Sequence, residues 1–117
     1  MTARIQVKPA QPRAGEVMEV RIIIAHIMES GQRRDDVGNR IQRNIINRLT
    51  CRYDGREVFN ARIGSGIAAN PYFMFLVRAT RSGELVFDWV DDEGHKESEK
   101  AVITSPRETP APRRPTQ

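Results

Sequence analysis

Short apolar segments with a two-residue alternation, separated by turn-forming residues, run through almost the whole chain. In the clearest segment the two alternating sets are Leu85, Phe87 and Trp89, which we place inward, and Val86, Asp88 and Val90, which we place outward. The Asp54-Gly55 pair between two other segments is a strong signal for a two-residue hairpin turn. Since no segment shows the 3.6-residue period of a helix, the pattern predicts antiparallel sheets.

Seven segments read as strands: Arg4 to Val7, Val17 to Ala25, Ile45 to Tyr53, Val58 to Ile63, Tyr72 to Arg78, Leu85 to Asp91 and Lys96 to Ile103. Seven strands with turns at short intervals are typical of an all-β fold, the immunoglobulin-like antiparallel β-sandwich. The inward positions place four aromatic residues in its core: Phe73, Phe75, Phe87 and Trp89. Residues 1–104 are predicted to form this single domain, and the proline- and arginine-rich residues 105–117 a flexible tail.

Charge and hydropathy argue against two classes of partner. The net charge is +4, but residues 105–117 carry three arginines against one glutamate, so only +2 remains on the domain, which is not the charge typical of nucleic-acid binding. No segment approaches the ~20 apolar residues that span a bilayer. The stretch from Met1 to Pro9 has no continuous apolar run, so it does not read as a signal peptide.

Cys51 is the single cysteine and the one candidate for a strong nucleophile. Alternation puts it on the same face as Leu49 and Tyr53, where a cysteine serves as a small apolar core residue and its thiol has a raised pKa. The alternative is a redox or sulfur-handling protein in which Cys51 is the covalent site. That alternative requires an exposed thiol activated by Arg48 or Arg52, and alternation turns both arginines to the opposite face.

The remaining polar residues predict no catalytic, metal or cofactor site. His26 and His95 are far apart, and His26 with Met28 and Glu29 is a weak ligand set because three adjacent loop residues seldom converge on one ion. Asp91-Asp92-Glu93 lies at a hairpin turn, where we expect solvated side chains that bind the backbone rather than calcium, and His95 is also expected to be solvated. The residues alone therefore predict a non-catalytic binding module.

Two loop blocks are candidates for a functional surface. His26-Ile27-Met28-Glu29-Ser30-Gly31 follows directly on the longest β-branched run, and Asn70-Pro71-Tyr72 precedes another strand. Loops held by a rigid sheet are the usual place for binding residues. The structural alternative is that Asn70 and Pro71 merely set a turn before the strand.

These blocks, in the order in which they occur, resemble the SoxZ family of bacterial sulfur oxidation. The resemblance covers residues 2 to 104 and is carried by the His26 block, the Asp54-Gly55 hairpin, the Asn70 block and the run Trp89-Val90-Asp91-Asp92-Glu93-Gly94. One departure is Ile27, where the family usually has proline. The proline-rich extension beyond Ser105 is also not expected of the family.

The resemblance implies a non-catalytic subunit in sulfur and thiosulfate oxidation that forms an obligate heterodimer with a SoxY-like subunit. The SoxY-like partner carries sulfur intermediates on a cysteine at the end of a flexible arm, and separate enzymes, bound transiently, load and oxidise them. The family works in the periplasm, so this chain would be exported together with a signal-bearing partner. The family motifs make one surface the candidate for partner binding: His26, Met28, Glu29, Asn70, Pro71 and Tyr72.

Outward apolar residues support a protein partner independently of the resemblance. The strand from Val17 to Ala25 has more β-branched residues than one core needs, and Met74, Leu76, Val86 and Val90 fall opposite the inward set. A monomer exposing all of them would display a large apolar patch, which usually marks an interface. The third reading, a generic immunoglobulin-like binding domain, predicts a stable monomer without such a patch.

Overall fold

The computed structural model describes residues 3–64 and 69–105. Within these ranges there are seven strands and no helix, as the alternation predicts. The strands are β1 (Ala3–Lys8), β2 (Val17–Ile24), β3 (Ile46–Tyr53), β4 (Arg56–Arg62), β5 (Tyr72–Arg78), β6 (Gly83–Asp91) and β7 (Lys96–Ile103). The described part of the chain holds no helix that is long and apolar enough to cross a membrane.

The strands form two antiparallel sheets that pack as a sandwich. The small sheet has the order β1-β2-β5, and the large sheet has the order β4-β3-β6-β7. β4 begins at Arg56, two residues earlier than predicted, because Arg56 pairs with Tyr53 directly across the Asp54-Gly55 turn. Asp54 and Gly55 both have positive φ, the backbone conformation that a tight hairpin of this type requires.

The core lies between the sheets and is filled by alternate residues of their strands. Phe87 and Trp89 are buried as predicted, whereas Phe73 and Phe75 on the edge strand β5 are half-buried and pack against the core. The ring of Phe75 stacks on Phe59 of the large sheet with their centroids 4.3 Å apart. These aromatic contacts close the sandwich along the edge where β4 faces β5.

Tyr53 joins the two sheets at one end of the sandwich. Its buried hydroxyl accepts hydrogen bonds from the backbone N–H groups of Thr80 and Arg81, both at 3.1 Å, and donates to the carbonyl of Arg81. Since Tyr53 ends β3 and Thr80 follows β5, this cluster fixes the large sheet against the small one.

The opposite end of the sandwich, which we call the loop end, comprises residues 25–45, 63–64, 69–71 and 92–95. The antiparallel registers place them there, because β2 ends beside the start of β5 and β6 ends beside the starts of β3 and β7. Residues 65–68, within the connection predicted between Gly64 and Asn70, lie outside the described residues. So does the predicted flexible tail after Ser105, and the domain boundary at residue 104 stays a prediction.

Candidate functional site

The two sequence blocks meet at the loop end. The backbone N–H of Asn70 donates to the carbonyl of His26 at 2.7 Å, and the side-chain Oδ1 of Asn70 accepts from the N–H of His26 at 3.1 Å. Asn70 has a φ of 53°, a left-handed conformation that asparagine adopts more readily than most residues. The asparagine thus fastens the second block to the first.

His26 reaches across the sandwich to a carboxylate at the end of β6. Its Nε2 lies 3.3 Å from Oδ2 of Asp91, and its Nδ1 accepts the backbone N–H of Met28 at 2.9 Å. Because Nδ1 is an acceptor, the proton of the neutral ring is on Nε2 and points to Asp91. The sheet that contributes β2 is therefore tied to the sheet that contributes β6.

His95 binds the same carboxylate from the other side. Its Nδ1 lies 3.1 Å from Oδ2 of Asp91, although the histidine side chain is two-thirds exposed. The hydrogen bond to Asp91, followed by its negative charge, raises the pKa of His95 above its ordinary value. The expectation of a simply solvated His95 was incomplete, because the turn brings its ring back to β6.

Asp91 is the centre of this cluster and corrects the prediction of a solvated acidic turn. Its residue is only 6% exposed, and its Oδ1 accepts the backbone N–H groups of Glu93 at 3.0 Å and His95 at 2.9 Å. Burial alone would raise its pKa. The hydrogen bonds from the His95 backbone and side chain, His26 and Asn44 outweigh burial and lower the pKa of Asp91 to about 2.

Asp92, next in the turn, also acts inward as a structural carboxylate. It accepts from Nε of Arg43 at 2.7 Å, from the side-chain amide of Asn47 at 2.9 Å and from the backbone N–H of Ile45 at 3.2 Å. These bonds fasten the end of the long 25–45 connection to the β6–β7 turn. Neither Asp91 nor Asp92 was a predicted site residue.

Contacts within the loop hold Met28 and Glu29, the other two candidate residues of the first block. Met28 is buried with a φ of 58°, and its sulfur accepts the backbone N–H of Ile46 at 3.3 Å. Glu29 pairs by its backbone with Asn44 and by its carboxylate with Arg33, at 2.6 Å and 2.9 Å. The hydrogen bond from Arg33 lowers the pKa of Glu29 against a smaller opposing effect of desolvation.

The second block divides between interior and surface. Pro71 is buried and its carbonyl accepts the N–H of Ile24 at 3.0 Å, whereas Tyr72 is half exposed beside Ile23. The structure brings all six predicted surface residues into one region. Two of them, Met28 and Pro71, are buried there and do not lie on the surface. Their role in binding a partner stays a prediction.

An apolar strip continues from Tyr72 along the outer face of the small sheet. It comprises Ile23 (44% exposed), Tyr72 (52%), Met74 (48%) and Leu76 (64%). The first two are direct cross-strand neighbours, and β5 is an edge strand, paired with β2 alone among the described strands. Val86 and Val90, predicted to belong to the same patch, instead lie half-buried on the large sheet.

Cys51 lies between the sheets and is completely buried. Burial raises the pKa of its thiol to about 12, against a smaller opposing effect of the positive charge on Arg52. In the described part of the chain, no group of three or more His, Cys, Asp or Glu residues has an arrangement that could hold a metal ion. The loop end therefore offers hydrogen bonds and a shaped surface rather than a nucleophile.

Comparison with known proteins gives a family and a fold. The model of a family described as Sulphur oxidation protein SoxZ matches residues 5–102 of this chain. No curated protein matches the chain.

Several solved structures share its fold. A superoxide reductase (neelaredoxin) from Ignicoccus hospitalis is 17% identical with a TM-score of 0.67, covering 91% of this chain and 81% of its own. A variant superoxide reductase (neelaredoxin) from Archaeoglobus fulgidus in the reduced form is also 17% identical, with a TM-score of 0.61 and coverages of 88% and 87%. A hypothetical protein from Pyrococcus horikoshii is 11% identical, with a TM-score of 0.58 and coverages of 88% and 86%. At these identities the likeness concerns the fold alone.

Proposed function

This chain belongs to the SoxZ family of sulfur oxidation proteins, and from that membership we propose that it is the non-catalytic subunit of a SoxYZ-type carrier complex. It binds and stabilises a cysteine-bearing SoxY-like subunit in an obligate heterodimer. It also helps to present the sulfur intermediates bound to that cysteine to the oxidising enzymes, which dock only transiently. The family match is the observation that carries this proposal.

The apolar strip on the small sheet supports a permanent protein partner. Four half-exposed apolar side chains on β2 and β5 adjoin a sheet edge that no other described strand pairs with, an arrangement prone to aggregation unless another chain covers it. Covering the strip with a similar sandwich can bury about 2,000 Å² in total, in the range of permanent complexes. We therefore assign the partner to this face, with Tyr72 linking the strip to the loop end.

The burial of Cys51 supports a reactive cysteine on another chain. A sulfur carrier must expose its thiol to the enzymes that load it, and a thiol with a pKa of about 12 is protonated at neutral pH. Both properties speak against the alternative in which Cys51 is itself the covalent site. The chain's only cysteine is thus a packing residue, and the carrier cysteine belongs to the partner.

The proposed compartment is the periplasm. In this proposal the chain crosses the membrane bound to a signal-bearing partner, as the resemblance to the family implies. Cell fractionation tests this directly: deleting the partner's signal should leave this chain in the cytoplasm. Export that persists without the partner's signal would contradict the co-export.

The heterodimer is tested by co-expression with a SoxY-like subunit. The two chains should co-purify with an intact mass of one copy of each, and the complex should melt at a higher temperature than this chain alone, which should self-associate or be poorly stable. A well-behaved monomer with no measurable affinity for a SoxY-like chain would reject the carrier role. That result would instead favour a generic immunoglobulin-like binding domain.

A further inference from the structure

Two arginines lie side by side on the outer face of the large sheet. Arg48 of β3 and Arg62 of β4 are direct cross-strand partners in the antiparallel register, and both side chains are exposed. Side chains at such positions start about 5 Å apart, where like charges destabilise the sheet. A fold therefore maintains this pair at a loss of stability unless something negative binds between them.

A third cation extends the same row across the sheet. Arg48 pairs on its other side with Val90, and Val90 pairs with Lys96 of β7. Within residues 3–64 and 69–105, Arg48, Arg62 and Lys96 form no ion pair with a carboxylate. Of the two acids in the adjoining groove, Asp88 pairs with Arg52 at 2.8 Å, and Glu57 accepts a hydrogen bond from the side-chain amide of Asn60 at 3.3 Å.

The arginine pair borders a concave surface rather than a flat one. A cavity of about 430 Å³ is lined by Asn47, Arg48, Arg62, Ile63 and Val90. The β3–β6 register shifts between Ile46 and Arg48, and such a bulge re-aims the side chains beside it. A groove of about 490 Å³, which includes Lys96, adjoins the cavity through Arg48 and Val90.

The cavity is linked to the loop end. Asn47 lines it, and the side-chain amide of Asn47 donates to Asp92 at 2.9 Å. This hydrogen bond fixes the wall of the cavity to the β6–β7 turn beside Asp91 and His95. The cavity therefore borders the end of the sheet at which the loops lie.

From this juxtaposition we propose that Arg48 and Arg62 form a binding site for a tetrahedral sulfur oxyanion of the sulfonate or sulfate type. Each planar guanidinium can donate two N–H groups to such an anion, and its negative charge relieves the repulsion between the arginines. Lys96 adds a third positive charge at longer range. The choice of sulfur over other oxyanions rests on the proposed function.

The same chemistry can come from two sources: a free inorganic ion, or the oxidised end of a group carried on the partner's thiol. Sulfate represents the first source, and methanesulfonate, whose fourth substituent is carbon, represents the second. Sodium chloride at matched ionic strength separates binding from general screening. Equal affinity for both probes assigns the site to a carried group, and affinity for sulfate alone assigns it to a free ion.

Titration calorimetry of the full chain tests the site. We expect saturable binding of sulfate that weakens about tenfold or more in Arg48→Gln and in Arg62→Gln, because each removes one of two charge-assisted donors. Arg56→Gln is the matched control, with the same charge change at the far end of β4, and should bind as the unsubstituted chain does. If the chain alone self-associates through the small sheet, the face of the large sheet with Arg48 and Arg62 stays accessible to the anion.

Thermal unfolding separates a binding role of Arg62 from a structural role, because replacing a structural arginine would lower the melting temperature. Without oxyanion, Arg62→Gln should melt at the same or a higher temperature than the unsubstituted chain, because a like-charge contact is lost. Sulfate binding that is absent, unsaturable or weakened equally by Arg56→Gln would overturn the site. If a SoxY-like subunit still binds in that case, the carrier role stands and only the oxyanion site is rejected.

Discussion

The two outer faces of this sandwich differ in the kind of partner that each can satisfy. The face of the small sheet carries Ile23, Tyr72, Met74 and Leu76 beside the strand β5, which pairs with β2 alone among the described strands. The face of the large sheet carries ion pairs and the row from Arg62 through Arg48 to Lys96. Exposed apolar area destabilises the small-sheet face in water, and unmatched positive charge destabilises the large-sheet face.

The exposure of an outward apolar residue depends on the residues beside it in the sheet. Val90 is outward and apolar, like Met74, but it lies between Arg48 and Lys96 in the sheet and is half-buried. Met74 lies beside Arg21 on an edge strand and stays half exposed. We therefore propose a protein partner for the small sheet and a small anion for the large sheet.

The largest effect is expected from placing charge on the apolar strip. The double substitution Met74→Lys and Leu76→Lys should weaken binding of a SoxY-like subunit by about 100-fold, because two cations would be desolvated at the centre of the interface. Calorimetry or surface-based binding measures the affinity. Val102→Lys, an equally exposed apolar position on β7 of the large sheet, is the control and should change it little. Equal losses in both would erase the distinction between the faces.

A smaller effect is expected from the core between the two faces. Cys51→Ala should lower the free energy of unfolding by about 1 kcal/mol through lost packing, as measured by urea unfolding, without changing sulfur turnover by the reconstituted pathway. If turnover were lost while the fold was preserved, the chemistry would lie in the core, and the contrast between the faces would no longer explain the function.

The smallest effect concerns the loop end, where the two faces meet. Asp91→Asn should lower the pKa of His95, since the carboxylate raises it in the folded chain, and NMR titration of the His95 ring measures this shift. An unchanged pKa would mean that the Asp91–His95 contact is not maintained in solution.

The same pair sets the pH dependence of stability. With a raised pKa, His95 contributes stability that is complete below its ordinary pKa and is lost as the pH rises through the folded value. Asp91, with its pKa lowered to about 2, contributes stability above its ordinary pKa that is lost as the pH falls toward 2. Denaturant unfolding at several pH values should show both losses, and both should disappear in Asp91→Asn.

The fold was predictable because its signals are local. Alternation and the Asp54-Gly55 turn lie within a few residues of each other, so they predict strands and hairpins without knowledge of the tertiary structure. The inward position of Asp91 was also encoded, since it continues the parity of Phe87 and Trp89. The acidic turn Asp91-Asp92-Glu93 nevertheless led to a prediction of solvated side chains, which was wrong for Asp91.

The contacts of the site were not predictable, because they join residues that are far apart in sequence. His26 and Asp91 are 65 residues apart, and nothing near either one indicates the other. The pairing of Arg48 with Arg62 depends on a bulge between Cys51 and Arg52, which shifts the register of β3 and β4 by one residue from the register that the Asp54-Gly55 turn sets. The family motifs located the loop end, but only the packed sheets show that Met28 and Pro71 lie inside it.

We propose that the partner covers the small sheet and leaves the large sheet open. Hydroxyl-radical footprinting of the co-purified complex, compared with this chain alone at low concentration, measures both faces at once. We expect strong protection of Tyr72, Met74 and Leu76 in the complex and unchanged oxidation of Val102 on β7. Protection of Val102 with undiminished oxidation of Met74 and Leu76 would contradict it.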